Sequence, residues 1–169
     1  MENTDTEETR IESKILSTFA NVASTLGYSD LHGKIIAILL VAGGPITLDD
    51  AAKKTGYSRA MVSLSLDLLE VFGVVKKIKK TADRKLYVQL EGDLLECLKK
   101  AVMLRIQKAI VGSLQEFKGN REALQKLKGE KKARVVRTLD ILEKQINRLN
   151  GYIIELSKIG LPEKNSGGN

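Results

Sequence analysis

A mainly α-helical fold with one small β-hairpin is what this sequence predicts, and three observations carry the prediction. Aromatic residues are only 4% of the 169 residues and proline supplies 2, which disfavours a sandwich built on aromatic strands and proline turns. Leu, Ile, Ala, Lys and Glu dominate, and apolar residues recur at three- and four-residue steps along most of the chain. One stretch, Lys85–Leu90, alternates cleanly instead, with Leu86, Val88 and Leu90 on one face and Tyr87 and Gln89 on the other. A hydrophobic content of 43% is enough to bury a core.

The elements follow in order. Residues 1–9 are polar and acidic and are expected to be a disordered tail. Ile11, Ile15, Leu16, Phe19 and Val22 make one helical stripe within residues 10–27. Ser29 can cap a second helix that carries Leu31, Ile35, Ile36, Leu39 and Leu40 and stops at Gly43-Gly44-Pro45. A short third helix starts at Thr47 or Asp49 and closes at Gly56. After Tyr57, Ser58 caps a fourth helix with Val62, Leu66 and Leu69 inward, ending at Gly73. Two short helices across a tight glycine turn are a helix-turn-helix. Val74–Lys79 and Lys85–Leu90 then flank a five-residue loop as a hairpin. A long helix, Asp93 to Phe117, is broken by Gly119-Asn120, and a final one reaches about Ile159. In that last helix Val135, Leu139, Leu142, Ile146, Leu149, Ile153 and Leu156 alternate four- and three-residue steps, a heptad seam suited to pairing two chains. Residues 161–169 read as a second disordered tail.

Charge and rare residues exclude several function classes. Residues 1–50 carry 3 basic and 8 acidic side chains, whereas residues 51–90 carry 9 and 3. A cationic field that begins so abruptly suits an anionic partner. One Cys (Cys97) and one His (His32) cannot build a disulfide framework within one chain or a zinc site, so no metal or organic cofactor is expected. No phosphate-binding loop, dinucleotide fingerprint or paired zinc histidines occur, and an enzyme is not expected. The acidic start gives no signal-peptide pattern and no stretch is long enough to span a bilayer, so a cytoplasmic protein without membrane association is expected.

Helix, helix, short strand, helix-turn-helix and basic hairpin form the order of a winged helix-turn-helix, occupying residues 28–92, with long N- and C-terminal helices (10–27 and 93–160) for dimerisation. Residues Ala42 to Tyr87 resemble the DNA-binding core of the MarR superfamily and, within it, the GbsR-like regulators. The resemblance is carried by Gly44-Pro45-Ile46-Thr47, Gly56-Tyr57-Ser58-Arg59, Val62-Ser63-Leu64-Ser65-Leu66, Phe72-Gly73-Val74-Val75-Lys76-Lys77 and Asp83-Arg84-Lys85. It implies a homodimeric, sequence-specific regulator of transcription bound to double-stranded DNA and released by a small-molecule effector.

The residues themselves agree with DNA as the partner. Side chains at the start of a helix seated in the major groove reach base edges. Thr47, Ser58, Arg59, Ala60 and Ser63 are therefore expected at the DNA, with Arg59 able to grip a guanine or a phosphate. On the hairpin, Arg84 and Lys85 would touch the minor groove, and Lys76, Lys77, Lys79 and Lys80 would supply field. Asp67, Leu68 and Met61 depart from the polar or basic residues common in such helices, and an acid repels phosphate. The alternative is a winged-helix module that meets protein through Met61, Leu64 and Leu68 within a larger transcription-related assembly.

Overall fold

A computed structural model describes residues 2–79, 83–124 and 129–162. The order of elements is α1 (Glu2–Thr25), α2 (Asp30–Ala42), β1 (Ile46–Thr47), α3 (Leu48–Thr55), α4 (Arg59–Val71), β2 (Val75–Lys79), β3 (Leu86–Leu90), α5 (Leu94–Leu124) and α6 (Glu130–Lys158). The chain divides into two compact units, Met1–Leu98 and Lys99–Asn169.

In the first unit, α2, α3 and α4 enclose a core with the small sheet. Leu31, Ile35 and Ile38 of α2, Val62 and Leu66 of α4, and Val75 and Val88 of the sheet are essentially inaccessible. Each such side chain contributes roughly 1.5–3 kcal/mol by leaving water. The expected inward face of the fourth helix, Val62, Leu66 and Leu69, is buried. Cys97 is also buried, as a packed thiol against this core.

The sheet is antiparallel in the order β1-β3-β2. Strand β1 has two residues, paired Ile46 to Val88 and Thr47 to Tyr87. Strand β2 pairs Val75 to Leu90, Lys77 to Val88 and Lys79 to Leu86. The alternation of β3 reflects its one core-facing side, where Val88 is buried and Leu86 and Leu90 pack against the core. At the turn before α4, Gly56 has φ +76° and its N–H bonds to the Ala52 carbonyl at 3.0 Å. A side chain there would be strained, which is why glycine ends α3.

Helix α1 lies against α2 at unusually close range. A Cβ on Gly33 would sit 2.0 Å from the Phe19 carbonyl oxygen and 2.7 Å from the Ala20 nitrogen. Only a residue without a side chain admits that crossing. The helix also begins at Glu2 rather than near residue 10. The expected tail is helical, with Glu7 and Glu8 toward the positive end of the helix dipole and Glu7 paired with Arg10 one turn on.

In the second unit α5 and α6 run antiparallel. The Lys99 ammonium donates to the Ile159 carbonyl at 2.6 Å at one end. At the other, Arg121 pairs with both Asp140 and Glu143. Helix α5 continues through Gly119-Asn120, where a break is expected, to Leu124. One glycine costs a helix only about 1 kcal/mol, and the Arg121 ion pairs fasten the turn that follows. Ile110, Leu139 and Ile153 are buried in this unit.

Candidate nucleic-acid interface

All the sequence-predicted DNA contacts that the structure describes fall in the first unit, and local chemistry fixes each one. Thr47 is the cap of α3. Its hydroxyl accepts the Asp50 N–H at 3.0 Å and donates to the Asp50 carboxylate at 2.6 Å. That bond holds the Asp50 carboxyl below its ordinary range. Ser58 caps α4 by accepting the Met61 N–H at 3.3 Å. Both hydroxyls are committed to helix starts, as capping chemistry favours.

Tyr57, in the turn itself, ties that turn to the start of α2. Its hydroxyl donates to the Asp30 carboxylate at 2.8 and 2.9 Å. Lys34 stands 3.3 Å from the same carboxylate and 5.1 Å from the Tyr57 ring centre. The Tyr57 hydroxyl, followed by Lys34, keeps the Asp30 carboxyl below its usual value. Residues 27 positions apart make this contact, so only the fold brings it to view.

Arg59 opens α4, exposed, with its Nε 3.0 Å from Asp49. Ala60 is exposed and Ser63 half-buried beside it. Ser65, two positions on, is buried. Asp49 and Asp50 were legible only as helix-start residues. In the fold Asp49 meets Arg59, while Lys85 and Lys53 act electrostatically on Asp50. The start of α4 is thereby tied to the start of α3 through Asp49.

The basic hairpin does not act as one ribbon. Lys79, Arg84 and Lys85 are exposed. Lys76 lies on the other side of the strand, 3.3 Å from Glu91. Lys80 lies outside the described residues. Lys77 departs from its expected role: its ammonium is turned toward α4, against Asp67 and within 3.0 Å of Glu70, and its side chain is 19% exposed. The Lys77 N–H also donates to Glu70 at 3.2 Å. The reason is strand parity. Lys77 shares a face with buried Val75 and sits opposite buried Val88, so it points inward where two carboxylates three residues apart receive it. The pairing raises the Lys77 pKa, chiefly through Asp67, and lowers that of Glu70. In the loop at the wing tip, Asp83 accepts the Lys85 N–H at 3.1 Å and the Tyr87 hydroxyl at 2.8 Å.

Asp67, the acid that seemed to oppose DNA, is therefore held by a cation. Leu68 is half-buried, whereas Met61, Leu64 and Val71 are exposed.

Comparison with solved structures finds the same architecture. A crystal structure of a transcriptional regulator superposes with a TM-score of 0.55 at 17% identity, covering 88% of this chain and 99% of that one. The chain is a winged helix-turn-helix protein. Its fold is also similar to AbsC, a MarR family transcriptional regulator from Streptomyces coelicolor (TM-score 0.40, 18% identity, 86% of this chain and 90% of that one). NadR in complex with 4-hydroxyphenylacetate gives a TM-score of 0.41 at 18% identity, over 95% and 94% of the two chains. No family model matches the sequence, and no curated protein does.

Among the described residues no group of three or more His, Cys, Asp and Glu side chains could hold a metal ion. Among them, too, no helix is long and apolar enough to cross a membrane. The seven heptad residues lie on α6 in the second unit. Leu139 and Ile153 are buried, Ile146 and Leu156 half-buried, and Val135, Leu142 and Leu149 exposed.

Proposed function

We propose that the chain is a cytoplasmic, sequence-specific regulator of transcription that binds double-stranded DNA as a homodimer, with α4 in the major groove and the β2–β3 wing at the minor groove. What supports this reading most is one juxtaposition: the exposed start of α4, with Arg59, and the exposed wing cations Lys79, Arg84 and Lys85 belong to one compact unit. A helix of this kind fits the groove, and the cations suit phosphates. Two such units on a dimer would enter grooves about one helical turn apart, so a pseudo-palindromic site is expected. The resemblance to GbsR-like regulators and release by a small-molecule effector belong to the same proposal. A cleft of about 270 Å³ lined by Glu12, Leu16, Ile38, Val41 and Lys54 falls below the usual size of a ligand pocket, and release by an effector follows from the resemblance.

A gel-shift titration with salt tests the reading. Affinity should fall with a log–log slope of about −0.9 for each phosphate neutralised. Arg59→Ala with Arg84→Ala should weaken binding and flatten that slope. Affinity indifferent to salt ends the proposal. The second reading, a module that meets protein, is favoured by the exposure of Met61, Leu64 and Val71 on one helix. Under it, Leu64→Ser would abolish capture of a protein partner, and duplex DNA would not be retained.

A further inference from the structure

The face of α4 that points straight away from the core is the row Ala60, Leu64, Asp67 and Val71, at steps of four, three and four. It lies opposite buried Val62, Ser65, Leu66 and Leu69. Leu64 is 71% exposed and Val71 81%, with Met61 alongside at 49%. A row that projects into the major groove is the one that meets base edges. This row carries no Arg, Asn or Gln, the side chains that grip guanine or adenine in pairs of hydrogen bonds. Its one polar member, Asp67, is engaged by Lys77.

We propose that this row reads thymine methyl groups, so that the DNA selected by the chain carries A·T pairs beneath Leu64 and Ala60. The inference rests on the DNA-binding reading above and names the kind of site it recognises. The thymine C5-methyl is the apolar group that the major-groove edge offers, and apolar side chains are its natural contacts. Water leaves both surfaces when Leu64 covers it. The surroundings favour nucleic acid over an apolar protein surface. Lys53 at the end of α3, Arg59, and Lys79 and Arg84 on the wing are exposed in the same compact unit as the row, a charge complementary to phosphates.

Duplexes retained from a random pool by the full chain supply the site, and deoxyuridine then replaces thymidine one position at a time. Each uracil beneath Leu64 should lower affinity about fourfold, the loss of one buried methyl. With Leu64→Ala the same replacement should change nothing. Because Leu64 is exposed, that variant keeps its fold, which an unchanged circular dichroism spectrum and melting temperature would verify. Salt-dependent binding that ignores uracil, or retained sites with G·C pairs beneath Leu64, overturns the inference and leaves the DNA reading intact. No retention of duplex at any salt, with a protein partner lost through Leu64→Ser, overturns both.

Discussion

Lys77 shows how far a side chain's role depends on the direction in which its backbone aims it. Its ammonium neutralises Asp67 and Glu70 on α4, and its backbone N–H holds Glu70 a second time. Lys77→Met would take the shared cation from both carboxylates and leave Glu70 its bond from the backbone N–H. Glu70 and Asp67 are 43% and 59% exposed, so screening keeps the loss modest, about 1 kcal/mol. A lower midpoint in urea unfolding is the expected result, with part of it restored by adding Asp67→Asn. The pH dependence follows from the directions of the shifts. Glu70 has a lowered folded pKa, so its contribution is present above the ordinary carboxylate value and lost as pH falls through the folded one. Lys77 has a raised folded pKa, so its contribution is present below the ordinary lysine value and lost as pH rises through the folded one. The difference between wild type and Lys77→Met should be flat around neutrality and shrink in acid as Glu70 protonates. A difference that grows in acid would contradict the pairing.

At the scale of elements, the crossing of α1 over α2 depends on Gly33. An added Cβ would collide with the Phe19 and Ala20 backbone, which no side-chain rotation relieves. Gly33→Ala should therefore lower stability by about 3 kcal/mol, at the upper end of overpacking costs, because one helix must move. Gly151→Ala is the control, since a Cβ there meets nothing within 4 Å. It should raise stability by about 0.5–1 kcal/mol through helix propensity. Thermal unfolding of both variants checks the pair, and equal effects would dismiss the close crossing. Elements of this kind were only partly legible in the sequence. Helical periods, the caps at Ser29, Thr47 and Ser58 and the alternation of β3 are local signals, and they place α2, α3, α4 and the hairpin. Local signals misjudged the start of α1 and the passage of α5 through Gly119, where ion pairs along and between helices outweigh weak propensity. Lys77 was legible in principle. It shares parity with Val75, and Asp67 and Glu70 stand one turn apart on the preceding helix. Reading the lysines as one basic run hid that parity. The Tyr57–Asp30 contact had no local signal at all.

For the whole molecule, the heptad residues of α6 divide by position. Leu139, Ile146 and Ile153, seven residues apart, are buried or half-buried, with Leu139 and Ile153 at 7% and 3% exposure. Val135, Leu142 and Leu149, also seven apart, remain 41–44% exposed. One set of positions is thus occupied within the single chain; the other, apart from half-buried Leu156, is the surface on which the proposed second copy would sit. A stable dimer needs roughly 1,200–2,000 Å² of buried surface, more than three side chains provide. The neighbouring exposed Ile141, Tyr152 and Ile154 would have to contribute. Leu142→Asp with Leu149→Asp should therefore yield a monomer in sedimentation equilibrium, because two carboxylates would be carried into an apolar contact. Leu139→Asp should instead unfold the second unit, since that side chain has no solvent route. The dissociated variant would hold DNA through one recognition helix rather than two. Loss of that linkage should weaken binding to a two-half-site duplex by a factor of about 100 or more, while affinity for a single half-site stays the same. Wild-type protein that sediments as a monomer at micromolar concentration would remove the seam, and with it the expectation that the bound site is pseudo-palindromic.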